Sequence, residues 1–241
     1  MKKKISKILA TLCIAGIAMA YPTVAHAAQD SFVINQYSES FVPAEDNNAT
    51  LYIEMTATSS DEGLVYIPVN VADSEIVTAS INGEEVSAEL EKVGGVQYFV
   101  LDTETPATEV NVEAEINCPG FYAVENDEPD TGIPNPLMDY QFVNKLQNKI
   151  EKYNLTIALP EGMEPMMVTT PKDVTKYTLG MNEEGQRTLS LKSNVKVAGN
   201  AAFKFTFGKP FVGSTMSKVV LWVAVLGISA FVLNKRLKEE V

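Results

Sequence analysis

From about residue 30 to 118 the dominant pattern along the chain has a period of two, which marks strands that bury one face. In 108–117, Val110, Val112, Ala114 and Ile116 alternate with Glu109, Asn111, Glu113 and Glu115. Leu51, Ile53, Met55 and Ala57 repeat the pattern, while 64–71 is apolar nearly throughout and reads as a strand buried on both faces. Pro68 pushes that strand toward an edge. Asn82-Gly83 supplies the two positive φ angles of a type I′ turn, so 76–81 and 84–90 read as a hairpin. Gly94-Gly95 turns the chain again before 96–101.

Residues 119–136 interrupt the alternation with four prolines and the anionic run Glu125-Asn126-Asp127-Glu128. Carboxylates beside an amide suit Ca²⁺, and these four residues are the candidate metal ligands, although the spacing of a calcium-binding loop is missing. Asn135 and Pro136 then read as the start of a helix over 137–153, with Leu137, Tyr140, Val143, Leu146 and Ile150 on one stripe. Lys145, Lys149 and Lys152 form a second stripe, the candidate contact surface for an acidic partner. Alternation resumes from Asn154, through Leu155, Ile157 and Leu159, then Leu189, Leu191, Val195 and Val197, and finally Phe203, Phe205 and Phe207.

The two ends differ from the middle. Residues 1–27 carry Lys2, Lys3, Lys4 and Lys7, an apolar run and Ala25-His26-Ala27, the layout of a secretory signal cut after Ala27. Residues 219–233 are uncharged, with Lys218 and Trp222 at one flank and Lys235 and Arg236 at the other. These four are the candidate membrane-anchor residues, and the basic side is the cytoplasmic one. The tail resembles the cell-wall sorting signals of Gram-positive surface proteins, which implies attachment by a sortase. The cleavage motif of those signals is absent, since 209–214 reads Lys-Pro-Phe-Val-Gly-Ser.

The expected fold class is therefore mainly β. An immunoglobulin-like antiparallel β-sandwich over 28–118 and a linker over 119–136 come first, then one amphipathic helix over 137–153 and a second small β unit over 154–209. A stalk over 210–217, a transmembrane helix over 218–234 and a basic tail over 235–241 complete the chain. The general look of both β units is similar to immunoglobulin-like modules of bacterial surface proteins.

Charge and composition narrow the function. The net charge is −12, and residues 28–217 hold 11 basic against 29 acidic groups, a net −18. An acidic surface of this kind excludes nucleic acid as a partner, because phosphate binding needs a basic face. No glycine-rich phosphate loop is present, which excludes nucleotide. His26 is the only histidine and lies in the signal, so Ser-His-Asp chemistry and imidazole-based zinc sites have no donor in the exported part. Cys118 is then the only exported thiol, which precludes an internal disulfide. No cofactor is expected.

The function expected from these features is a non-enzymatic, single-pass protein of the bacterial cell membrane, N-terminus outside. Its acidic ectodomain would contact protein partners, or itself, at the cell surface as an accessory, scaffolding or sensing subunit. The alternatives are a sortase-attached adhesin or fimbrial subunit, and a carbohydrate-active or calcium-dependent surface enzyme.

Overall fold

The computed structural model describes residues 31–93, 95–123, 136–210, 218–226 and 228–229. It is mainly β, as the alternation predicts. Fourteen strands succeed one another: β1 (Val33–Pro43), β2 (Ala49–Thr58), β3 (Leu64–Pro68), β4 (Glu75–Ile81), β5 (Glu84–Glu85), β6 (Ala88–Val93), β7 (Val96–Asp102), β8 (Glu109–Cys118), β9 (Leu137–Val143), β10 (Ile150–Ala158), β11 (Glu164–Thr170), β12 (Tyr177–Met181), β13 (Arg187–Val195) and β14 (Asn200–Gly208).

Eight of them form one sheet in the order β12-β13-β10-β1-β2-β8-β4-β5, and two three-stranded sheets, β11-β14-β9 and β3-β7-β6, complete the fold. The residues predicted to alternate inward do so: Leu51, Ile53, Met55 and Ala57 on β2 and Val110, Val112, Ala114 and Ile116 on β8 are buried. Phe203, Phe205 and Phe207 on β14 bring aromatic bulk to the same core. Asn82 and Gly83 turn β4 into β5 at positive φ angles of 53° and 83°. Beyond two paired residues the chain leaves that hairpin, and β6 pairs with β7 in the other layer.

Several expectations are corrected. Within 28–118 the strand pairings are antiparallel and divide between two sheets, while β1 also pairs in parallel with β10, with Tyr37 opposite Tyr153 and Phe41 opposite Ile157, so the large sheet is mixed. That pairing places strands of 28–118 and of 154–209 in one eight-stranded sheet. The helix expected over 137–153 is a strand, a turn and a strand. Met138, Tyr140 and Phe142 all go inward, and the period-two reading of these residues wins over the period-four one once β14 is there to pair with them. At the C-terminus, residues 218–226 and 228–229 are helical, with Val219, Leu221, Trp222, Val223 and Leu226 all exposed. No helix among the described residues is long and apolar enough to cross a membrane, and the expected span over 218–234 is described only in part. The signal at 1–27, Glu125, Asn126, Asp127 and Glu128, most of the stalk, and Lys235 and Arg236 lie outside the described residues.

Aromatic rings weld the layers. Phe142 of β9 lies 4.6 Å from the Tyr153 ring of β10 and 5.3 Å from Tyr37 of β1, and all three are fully buried. Replacing Phe142 by Ala removes this bridge between the small and large sheets. The expected loss is about 3–5 kcal/mol of unfolding free energy, measured by urea denaturation.

Candidate functional site

The inner face of the large sheet has two separate covers, and the gap between them is the most distinctive place in the molecule. β3 ends at Pro68, which has no N–H to offer a further strand. Residues 69–74 then turn away, with Asp73 at a φ of 55° and the Ser74 hydroxyl donating to the Val71 carbonyl at 2.9 Å. On the opposite side of the gap runs β9, the margin of its own small sheet.

The register of β9 decides which of its groups face the gap. The Phe207 N–H donates to the Pro136 carbonyl at 3.2 Å and the Asn144 N–H to the Gly199 carbonyl at 2.9 Å. In the unbroken ladder between them, Met138, Tyr140 and Phe142 therefore direct their main chain to β14. The main-chain groups of Leu137, Asp139, Gln141 and Val143 point the other way. Among the described residues β9 pairs with β14 alone. The Val143 N–H is taken by the Asn70 side-chain carbonyl at 3.4 Å, which ties the two sides of the gap together at one end.

Toward the other end the gap opens into a cleft of about 530 Å³. Asn70, Val71 and Ala72 form one wall and Leu137 to Tyr140 the other, with Phe121 and Ala123 beside them. Phe121 stacks on Phe41 at 4.1 Å with the rings nearly parallel, so its position is fixed from below. At the lip Lys204 donates to Asp139 at 2.7 Å, in an exposed ion pair.

Beneath the cleft is a carboxyl group in the core. Glu39 occupies an inward position of β1, between Tyr37 and Phe41, and is 2% exposed. One of its oxygens accepts from the Tyr153 hydroxyl at 2.6 Å and from the Tyr140 hydroxyl at 2.8 Å. The Tyr37 hydroxyl faces the same carboxyl but falls outside hydrogen-bond geometry. A cavity of about 10 Å³ beside Glu39 is lined also by Asn70, Ser74 and Tyr140, and no Lys or Arg borders it. Burial pushes the Glu39 carboxyl up to about 7, against the opposing pull of the tyrosine hydroxyls. The same burial, with Glu39 nearby, drives the phenols of Tyr37, Tyr140 and Tyr153 well above their ordinary range. Cys118 is buried on β8, two strands from β1, accepts from the Ser74 hydroxyl at 3.6 Å, and burial pushes its thiol up to about 11. That thiol is an inert core group.

The residues singled out from the sequence lie elsewhere. Lys145 and Lys149 sit in the turn between β9 and β10 and Lys152 on β10. All three are exposed, but they share no helical stripe, and Lys149 pairs with Glu151 at 2.7 Å. Lys218 and Trp222 are exposed on the C-terminal helix. A shallow depression of about 390 Å³ includes Tyr52, Glu54, Glu85, Glu113 and Glu115, with Glu54 directly opposite Glu113. Among the described residues no group of three or more His, Cys, Asp or Glu side chains could hold a metal ion.

No family model and no curated protein matches the sequence. Solved structures do. The M1 zinc metallopeptidase from Deinococcus radiodurans is similar with a TM-score of 0.46 at 10% identity, over 76% of this chain and 43% of that one. Native yeast LTA4 hydrolase gives a TM-score of 0.48 at 9% identity, over 72% and 29%. Legionella pneumophila aminopeptidase A, in complex with aspartic acid, gives 0.44 at 10%, over 73% and 21%. This chain thus spans less than half the length of the structures it matches.

These neighbours correct the functional expectation. The three structures just named are called peptidase or hydrolase and none is called a scaffold, a sensing subunit or an adhesin, so the expectation of a non-enzymatic scaffold is withdrawn. The adhesion reading and the expectation of a non-enzymatic protein are withdrawn with it. At this identity the shared property is the β-rich architecture. Zinc is named for the Deinococcus radiodurans enzyme; the described residues of this chain hold no imidazole and a single buried thiol.

Glu39 makes stability depend on pH. Its carboxyl titrates near 4.5 when unfolded and about 7 when folded, so the folded state holds a proton that the unfolded state releases between those values. Stability from this group is complete below pH 4.5, falls as pH rises to about 7, and is then level. The expected fall is on the order of 3 kcal/mol. Glu39→Gln abolishes it, so urea unfolding at pH 5 and pH 8 should show the variant gaining on the wild-type protein at the higher pH.

Proposed function

We propose that this chain is a peptidase-related β domain that holds an extended, basic peptide along the open margin of β9. The observation that carries the reading is the outward direction of the main-chain groups of Leu137 and Asp139, both of which line the cleft of about 530 Å³. A strand margin facing a groove binds peptides by main-chain hydrogen bonds, and pockets for alternate side chains add selectivity. Here one side of the incoming strand would lie against Val71, Phe121 and Tyr140, and the other against the lip at Asp139 and Lys204.

The sign of the preferred peptide follows from charge. A net charge of −12 produces a field that draws in cations, and the depression with Glu54, Glu85, Glu113 and Glu115 adds to it. One of the neighbouring M1 metallopeptidases was solved with a Tyr-Ser-Ala substrate, a short peptide. Holding a peptide is the part of a peptidase's work that a β margin can perform without a metal. The described residues of this chain supply that part.

Fluorescence anisotropy with a labelled Lys-containing heptapeptide and its Glu-containing counterpart tests the reading. The basic peptide should bind in the micromolar range and weaken as salt screens the field. Leu137→Pro removes an outward N–H at the cleft without removing a bond of the ladder to β14, and it should weaken binding at least about tenfold. Leu137→Ala keeps the N–H and should bind normally. Equal binding by the Pro variant, or preference for the acidic peptide, overturns the proposal.

A further inference from the structure

We infer that the Glu39–Tyr140–Tyr153 cluster makes occupancy of the β9 cleft depend on a proton, so that the bound peptide is held in acid and released as the medium becomes alkaline. The inference rests on the peptide-binding reading and adds a regulatory device to it.

The geometry supplies the link. Tyr140 belongs to both places at once: it borders the cleft, and its hydroxyl donates to Glu39 below. Asp139 beside it and Leu137, both lining the cleft, carry the outward main-chain groups that a peptide would pair with. Glu39 also reaches the opposite wall, since it shares its small cavity with Asn70, Val71 and Ser74 of the 69–74 turn. The floor of the cleft and both of its walls therefore meet at one carboxyl group.

The groups facing that carboxyl come from each element packed around it. Tyr37 lies on its own strand, Tyr153 on β10, Tyr140 on β9 and Cys118 on β8, while Asn70 and Ser74 come from the turn after β3. None of them is a cation. A proton on Glu39 leaves a neutral cluster that tolerates exclusion of water. Without the proton, a buried negative charge is held by two phenol hydroxyls alone, and a charge in that position favours any rearrangement that admits water. A peptide laid over the cleft excludes water further, so it binds the protonated form more tightly. By reciprocity, binding raises the proton affinity of Glu39. The burial that already lifts this carboxyl to about 7 places the transition in the neutral range. The chain's one histidine, His26, lies outside the described residues and is not part of the cluster.

The test is anisotropy titration of the full chain with the labelled Lys-containing heptapeptide between pH 5.5 and pH 8.5, on the wild-type protein, Glu39→Gln and Tyr140→Phe. Wild-type affinity should fall about tenfold across the range, the change that a tenfold rise in proton affinity on binding produces. Glu39→Gln should bind with the same affinity throughout. Tyr140→Phe removes a hydrogen bond that favours the ionised carboxyl, so its fall should move to higher pH. Binding that is independent of pH in the wild-type protein overturns the proton coupling and leaves the peptide reading intact. A fall of equal size in Glu39→Gln does the same. Absence of binding at every pH overturns the peptide reading, and the coupling with it.

Discussion

The parallel pairing of β1 with β10 is the contact on which the rest of the structure depends. It joins a first half, β2, β8, β4 and β5, to a second half, β13 and β12, in one continuous sheet. An eight-stranded sheet has more apolar inner face than one small sheet can shelter, and here two small sheets divide the task. The gap between the two covers is a consequence of that division. Glu39 lies on β1, the strand that makes the joining pair, so the buried carboxyl sits where the halves meet.

Much of the β architecture was legible in the residues. Strict alternation on β2 and β8 has one physical reading, because a one-residue slip would turn every apolar side chain to solvent. The Asn82-Gly83 turn was equally legible, since few residues accept two positive φ angles in succession. The stretch 137–153 was misread for a definite reason. Leu137, Tyr140, Val143, Leu146 and Ile150 satisfy a helical stripe, yet Met138, Tyr140 and Phe142 satisfy a strand face at the same time. Only the partner strand β14, more than fifty residues away, decides between them. The parallel joining pair is likewise non-local, and no short-range pattern announces it.

Candidate chemistry was less legible than the fold. Attention fell on Glu125 to Glu128 and on the lysines because charge clusters stand out in a sequence, whereas the core carboxyl is a single acid among many. Its signal was nevertheless present: Tyr37, Glu39 and Phe41 share one parity on β1, so an acid stood at a position where the strand demanded an apolar side chain. The outward groups of β9 had no comparable signal. Whether a main-chain N–H points to a partner or to open space is set by the register with β14, and side-chain identity does not encode it.

The far margin of the large sheet shows the opposite treatment of a strand edge. β5 is two residues long, and both are exposed glutamates, Glu84 and Glu85. A second molecule offering its own strand there would meet almost no ladder to extend and two negative charges to overcome. The large sheet is thus guarded at this end against stacking into fibres by the brevity of its smallest strand.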